Sequence, residues 1–214
     1  MRIFVTAFML AVVLASSAFA GNVALSSGNG GIATATSCPS IPGCNVTGYS
    51  AGLAIDGNSG ATDKWIAPGN TVGADLLINL GALFTVDYVT IEGIGSYNTD
   101  EHIGKSITFS VFVGGVGSTE ASLLASTPIG SATEVGLAGG AEWSTTFNIT
   151  PSKVEYVLYD VTASCGNPVS NSCTTYDNAY ANDILVDAVP EPGTIGLIGA
   201  GLLALGFSLR SRKK

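Results

Sequence analysis

The feature of this chain that most constrains its fold is a series of short runs in which apolar residues alternate with polar ones. In the run 84–92, for example, Val86, Tyr88 and Thr90 fall on one face. Alternation of this kind is the period of a β-strand. Comparable runs, rich in β-branched and aromatic residues, occupy 74–80, 106–113, 145–150, 154–162 and 183–188. Glycine-rich turns separate them, and outside the two termini only 50–55 suits a single helical turn, so we predict an all-β domain, a β-sandwich or jelly roll.

The N-terminus has the three parts of a secretory signal peptide. Arg2 is followed by an apolar run, 3–14, and by the small-x-small sequence Ala18-Phe19-Ala20. We predict that residues 1–20 are removed during export and that the mature chain begins at Gly21. An uncleaved membrane helix is the alternative, but the run is short for one and the Ala-x-Ala site is well placed.

The C-terminus, 189–214, has a second tripartite pattern. It begins with an extended proline motif, continues through the apolar run 195–209 and ends in a basic cluster, Arg210, Arg212, Lys213 and Lys214. The motif residues are Val189, Pro190, Glu191 and Pro192. This order resembles the PEP-CTERM sorting signal of Gram-negative bacteria that make exopolysaccharide. The resemblance implies that a membrane-embedded exosortase recognises the motif and cleaves the tail.

The apolar tail is marginal as a permanent anchor. A bilayer core about 30 Å thick needs roughly 20 apolar residues, whereas Gly193–Leu209 is a shorter stretch interrupted by Gly196, Gly199, Gly201 and Gly206. We therefore expect transient insertion in the inner membrane after export by the Sec machinery. Cleavage would then leave the protein at the cell surface or in the extracellular matrix.

The charge of the segment between the two tags restricts its partners. This segment, 21–188, holds three lysines and no arginine against fifteen acidic residues, a net charge near −12. Such a surface repels nucleic acid and anionic lipid. It also lacks the guanidinium groups that usually bind anions, so an anionic polysaccharide would need Ca²⁺ as a bridge.

The four cysteines form two local pairs in the sequence. Because the chain is exported, disulfides are expected. Pairing of Cys38 with Cys44 and of Cys165 with Cys173 would close two short loops, and we favour it over bonds that join the N-terminal to the C-terminal region. The spacings suit no common zinc site.

Several short motifs follow one another between the two tags. They are Asn22–Leu25, Ala54–Trp65, Leu76–Gly81, Tyr156–Tyr159 and Ile184–Val186. In this order they resemble the discoidin family of galactose-binding-like domains, which has an Asn-x-Ala start, an Ala-x-Asp-Gly...Thr-x-Trp loop and similar late strands. Departures include Asn79 and Asp183 in place of the family's Asp and Glu, and Val154-Glu155 where an arginine is expected. The resemblance implies a β-sandwich that spans the whole domain.

The resemblance also implies a structural Ca²⁺ site. The loop 56–63 is dense in carboxylate, amide and hydroxyl oxygens, which are the ligands that Ca²⁺ prefers. In the similar family this loop and a residue of a late strand often hold the ion, and the matching residues are Asp56, Asn58, Thr62 and Asp183. A plain Asx-turn without metal is the alternative.

A ligand face would need exposed aromatic or polar side chains. Trp143, Tyr97 and His102 are candidates, whereas the position of Trp65 at the end of the loop favours the core. His102 is the only histidine, and no Gly-x-Ser-x-Gly motif accompanies it, so serine-hydrolase and zinc chemistry are not indicated.

These patterns together predict an exported, non-catalytic binding or matrix protein of the extracellular polysaccharide layer, with neutral glycans as candidate ligands. Two alternatives stay open. One is a structural surface protein without a specific ligand. The other is a glycan-processing enzyme, since paired carboxylates leave no recognisable spacing in a sequence.

Overall fold

The structure, a computed structural model, describes residues 21–26, 30–37, 49–58, 60, 63–67, 74–94, 106–135, 141–165 and 179–189. In these segments strands predominate. They are β1 Gly21–Asn22, β2 Ile32–Ser37, β3 Trp65–Ala67, β4 Ala74–Ile94, β5 Ser106–Gly114, β6 Gly130–Val135, β7 Glu142–Cys165, β8 Ala179–Ala181 and β9 Asp183–Ala188. A 3-10 turn, Ala51–Ile55, and a short helix α1, Glu120–Leu124, complete the elements.

Two long antiparallel strands, β4 and β7, organise the molecule. The first part of β4 pairs with β2 and its second part pairs with β9, while the later part of β7 pairs with β5, which carries β6 at its edge. The register of the β4–β7 pair jumps between Asn79 and Phe84. Gly81, at φ +78°, lies in this jump, a conformation that glycine adopts without steric cost. The pair therefore bends within one seven-stranded sheet of the described residues, while β3 pairs with β8 in a second, two-stranded sheet, and the fold is the predicted β-sandwich.

Several sequence predictions differ from the structure. The runs 74–80 and 84–92 form one bent strand, and β6 and α1 lie between the runs 106–113 and 145–150, where no strand or helix was predicted. The helix is one turn long, too short to show a helical period. Two reciprocal hydrogen bonds cap its start. The Thr119 hydroxyl accepts from the backbone N–H of Ser122 at 3.3 Å, and the Ser122 hydroxyl accepts from the backbone N–H of Thr119 at 2.9 Å.

The prediction that Val86, Tyr88 and Thr90 share one face is wrong, because Tyr88 and Thr90 do not lie on the face of Val86. A bulge between Val86 and Tyr88 shifts the register, so that Val86, Val89 and Ile91 are the fully buried residues of this stretch. One extra residue in a strand reverses the faces of all that follow. The bulge has no clear signal in the sequence, because both alternating sets contain β-branched residues.

A chain of aromatic rings fills the centre of the sandwich. Phe109 contacts Tyr159 and Trp143, with ring centroids 5.2 and 5.6 Å apart, and Trp65 packs edge-on against Tyr159 at 6.3 Å. Tyr159 is anchored by donating its hydroxyl to the carbonyl oxygen of Tyr180, at 3.0 Å. Trp65 has no exposed surface, which confirms its predicted place in the core.

Several predictions fall on parts of the chain outside the described residues. These are the signal peptide and most of the sorting tail, the side chains of all four cysteines, and Thr62, Tyr97 and His102. The disulfide pairing therefore stays a prediction. In the described part, no helix is long and apolar enough to cross a membrane.

A buried pair of carboxyl groups crosses the β4–β7 ladder. Asp75 lies directly opposite Asp160, and Glu120 at the start of α1 lies nearby. Asp75 is only 3% exposed, and its Oδ1 has no hydrogen-bond partner in the described structure. Burial, with the hydrogen bond and charge of Asp160, raises the pKa of Asp75 to about 8. At neutral pH Asp75 therefore keeps a proton and shares it with Asp160.

This pair predicts how stability depends on pH. The unfolded chain releases the Asp75 proton near pH 3.9, whereas the folded protein holds it until about pH 8. The retained proton stabilises the folded state in full below the unfolded-state pKa of Asp75. The free energy of unfolding should therefore fall as pH rises from that pKa to the folded-state pKa. Asp75→Asn, which keeps a donor toward Asp160, should remove most of this decline in urea denaturation across the range. Glu142→Gln, at an exposed carboxylate, should keep the wild-type slope. An unchanged slope in Asp75→Asn would contradict the shared proton.

Candidate functional site

A small cleft opens where β4 ends, β7 begins and β8 turns into β9. Its volume is about 220 Å³. The described residues that line it are Glu92, Gly93, Ile94, Glu142, Trp143, Ser144 and Asn182. The cleft is smaller than the roughly 300–1,000 Å³ of pockets that hold drug-sized ligands, so its size suits one small ring.

The strand register sorts the cleft residues between two faces. Glu92 lies opposite Ser144 on one side and opposite Asp183 on the other, and Ile94 lies opposite Glu142. Directly opposed residues share a face of the sheet, as do residues two apart in one strand. Glu92, Glu142, Ser144 and Asp183 therefore project from the same face, next to the rim of the cleft.

Trp143 packs behind the cleft, against the opposite face. A Cβ atom added to Gly93 would lie 2.4 Å from two carbons of the Trp143 ring, so this position requires glycine. The indole Nε1 donates to the hydroxyl of Tyr180, at 3.0 Å. Only 9% of Trp143 is exposed. Trp143 thus lines the cleft, but most of its ring belongs to the core, and its role as a ligand residue stays a prediction.

Asn182 joins the cleft to the loop that was predicted to bind calcium. Its side chain is fully buried. Its Nδ2 donates to the carbonyl oxygens of Gly60 and Asp63, at 2.9 and 3.2 Å, and its Oδ1 accepts from the backbone N–H of Ile94, at 2.8 Å. Its own N–H donates to the carbonyl oxygen of Glu92, at 2.9 Å. One amide therefore fixes the loop, the end of β4 and the start of β9 together.

The calcium loop is partly ordered by its own side chains. Asp56 accepts from the backbone N–H of Asn58 at 2.9 Å, which is an Asx-turn. The Asn58 side chain accepts from the N–H of Gly60, at 3.3 Å, and donates to the carboxylate of Asp63. Asn58 is thus used within the loop, and Thr62 lies outside the described residues.

Asp183 is the predicted ligand with the clearest need for a partner. It is 3% exposed, and no described group donates to its Oδ1. Burial raises the pKa of Asp183 to about 6, against the lowering effect of the Ile184 backbone N–H. The charges of Glu92 and Asp56 raise it further. An orphaned carboxylate oxygen beside the carboxylate of Glu92 fits a bound cation. The described residues contain no group of three acidic, histidine or cysteine side chains that could hold a metal, so an ion here would need carbonyl or amide oxygens as further ligands.

Sequence reasoning missed Glu92, Glu142, Ser144 and Asn182. One signal was present, because a glycine inside a strand, here Gly93, often marks a close approach of another group. Asn182 had no signal of its own. Its role depends on the junction of β8 and β9, which only the fold brings against the loop.

The three side-chain hydrogen bonds of Asn182 should stabilise the fold whether or not a ligand is bound. Asn182→Ala removes three side-chain hydrogen bonds and leaves a buried N–H and two carbonyl oxygens without this partner. Each such buried group costs about 1–3 kcal/mol, and relaxation should bring the total to about 2–4 kcal/mol. Urea denaturation should show a lower midpoint with an unchanged slope. Asn148→Ala, at an exposed site on β7, is the matched control. Equal midpoints for the two variants would contradict this stabilisation.

The model of the PEP-CTERM protein-sorting motif matches residues 188–213. This motif implies processing by an exosortase, export and sorting to the cell surface of a Gram-negative bacterium. No curated protein matches the chain.

The described fold is similar to those of several solved structures. One is a fucolectin from the serum of Morone saxatilis, striped bass, with a TM-score of 0.53 and 18% identity over 81% of this chain and 50% of that one. Another is the family 32 carbohydrate-binding module of C. perfringens NanJ in complex with galactose, with a TM-score of 0.52 and 17% identity over 79% of this chain and 99% of that one.

A third is a Ruminococcus gnavus GH29 fucosidase in complex with fucose, with a TM-score of 0.51 and 15% identity over 81% of this chain. This chain spans 27% of the fucosidase and half of the fucolectin. At such identities the likeness establishes the fold. The chain thus has a domain with the discoidin-like β-sandwich fold of family 32 carbohydrate-binding modules and fucolectins, followed in the sequence by a PEP-CTERM sorting motif.

Proposed function

We propose that this protein is an exported, non-catalytic glycan-binding module that is sorted to the cell surface and acts in the extracellular polysaccharide layer. After transient insertion in the inner membrane, the tail is cut and the acidic domain is released to the outside. The observation that carries the proposal is the cleft at the ends of β4, β7 and β8. It presents carboxylates and a hydroxyl around a space for one sugar ring, and the buried Asn182 amide supports its wall.

Two further observations support this function over a purely structural one. The solved structures with the same fold include a fucolectin and a module in complex with galactose. The walls of the cleft are also fixed in place, by Gly93 and by the fully buried Asn182. Pre-formed walls reduce the entropy that a ligand loses on binding.

A blocked cleft tests the proposal. Ser144 is exposed at the cleft, so Ser144→Trp should fill the space while leaving the core intact. The full chain, purified in detergent, should bind defined sugars on a glycan array, and Ser144→Trp should lower the signal by at least about tenfold, the effect of losing about 1.4 kcal/mol. Ser152→Trp, at an exposed position near the sandwich corner, is the control. A wild-type protein that binds no sugar would instead favour a structural role.

We further propose that Asp183 and Asp56 hold a structural Ca²⁺ together with oxygens of the loop 56–63. The ion would supply the partner that Asp183 Oδ1 lacks in the described structure. It would also neutralise the mutual repulsion of Asp183, Asp56 and Glu92. The carbonyl oxygens of Gly60 and Asp63 already accept from Asn182, so the ion would share these oxygens with the amide.

Calcium should therefore raise the melting temperature of the full chain, and a chelator should lower it. A ligand at a hundredfold excess over its Kd stabilises by about 2.7 kcal/mol when it binds only the folded state. Because the proton and the ion compete for Asp183, whose pKa is raised to about 6, the calcium effect should shrink below that pH. Asp183→Asn should abolish it, whereas Asp187→Asn, further along β9, should not. A melting temperature insensitive to calcium and chelator would leave the loop as a plain turn.

A further inference from the structure

The chemistry of the cleft is acidic. Glu92 and Glu142 both line it, and the strand register places them on one face with Ser144 between them, opposite Glu92 and two residues from Glu142. A carboxylate can only accept hydrogen bonds, and each of these two has free acceptor positions to offer. Asp183, opposite Glu92 on β9, adds negative potential at the same edge of the sheet.

No basic side chain among the described lining residues offsets these charges. The domain has three lysines in all. Lys64 has no exposed surface. Lys153 lies opposite Thr85, seven residues from Glu92, or about 23 Å along the strand at roughly 3.3 Å per residue. Lys105 lies outside the described residues. The described lining of the cleft thus carries two glutamates and no basic side chain, on a domain that is itself strongly acidic.

The two carboxylates of the cleft suit an ammonium group, which needs only one or two carboxylates at hydrogen-bond distance. The Ser144 hydroxyl and the rest of the cleft remain available to the hydroxyl groups of a ring.

On the basis of the proposed glycan-binding function, we infer that the cleft selects a sugar that carries a protonated amine, such as the glucosamine unit of a de-N-acetylated polysaccharide. Glu92 and Glu142 are the specificity-determining residues. They accept from the ammonium group, and the size of the cleft admits one ring. An N-acetylated sugar loses the charge, and an anionic sugar is repelled.

The test compares three probes on the full chain, purified in detergent, by isothermal titration at about pH 6, where an amine is protonated and glutamate is ionised. The probes are a glucosamine tetrasaccharide, the same tetrasaccharide fully N-acetylated, and a neutral galactose oligosaccharide. The glucosamine probe should bind tightest. Glu142→Gln and Glu92→Gln should each weaken its binding about three- to fivefold, the scale of one partly exposed charge pair, and should leave the neutral probes unchanged.

A matched control separates a built site from general attraction between a polycation and an acidic protein. Glu155→Gln removes one charge from β7 outside the cleft. If it weakens glucosamine binding as much as the two cleft variants do, the selectivity of the cleft is overturned. Binding of the neutral probes that equals or exceeds that of glucosamine also overturns the inference, but leaves the proposed function standing. If none of the three sugars binds, both the inference and the proposed glycan-binding function are wrong. Glu142 is exposed, so its variant tests the inference even if Glu92→Gln fails to fold.

Discussion

The paired bend of β4 and β7 is the constraint on which the rest of the structure depends. Because both strands bend together, the one large sheet that contains them closes around one shared core. The bend is permitted locally by Gly81 and is held from inside by the aromatic chain from Trp65 to Trp143. The cleft lies at the far end of the same pair, where β4 ends opposite the start of β7. The position of the candidate site is thus a consequence of how the sandwich is closed.

Asn182 connects this frame to the loop that precedes β3. Its three side-chain hydrogen bonds join two loop carbonyl groups to the end of β4, and the same residue lines the cleft. Any ion that orders the loop would therefore act on a wall of the cleft through one buried amide. By thermodynamic linkage, a ligand that favours the ordered wall would bind tighter with the ion present, and the ion would bind tighter with the ligand. The link between the two proposed sites is physical contact.

The sequence was a good guide where one physical rule acts alone. Alternation over 106–113 places Ile107, Phe109 and Val111 in the core, as found. It failed at the bulge after Val86, where one inserted residue reverses the faces, and at the one-turn helix α1. For the site, it pointed to Asp56, Asp183 and Trp143 through resemblance and residue type, and the structure places Trp143 at the cleft and Asp183 opposite Glu92. The cleft carboxylates Glu92 and Glu142 come together only through cross-strand register, which neither composition nor spacing contains.

A common problem unites the three groups of carboxylates in this domain. Fifteen acidic residues share a segment with three lysines and no arginine, so few carboxylates can obtain a cationic partner from the chain itself. Exposed carboxylates are solvated by water. Carboxylates that the fold brings together or buries need another partner to offset their charge. Asp75 keeps a proton that it shares with Asp160. Asp183, whose pKa burial raises to about 6, would obtain its partner from the proposed Ca²⁺. Glu92 and Glu142, at an open cleft, are free to take their partner from a ligand.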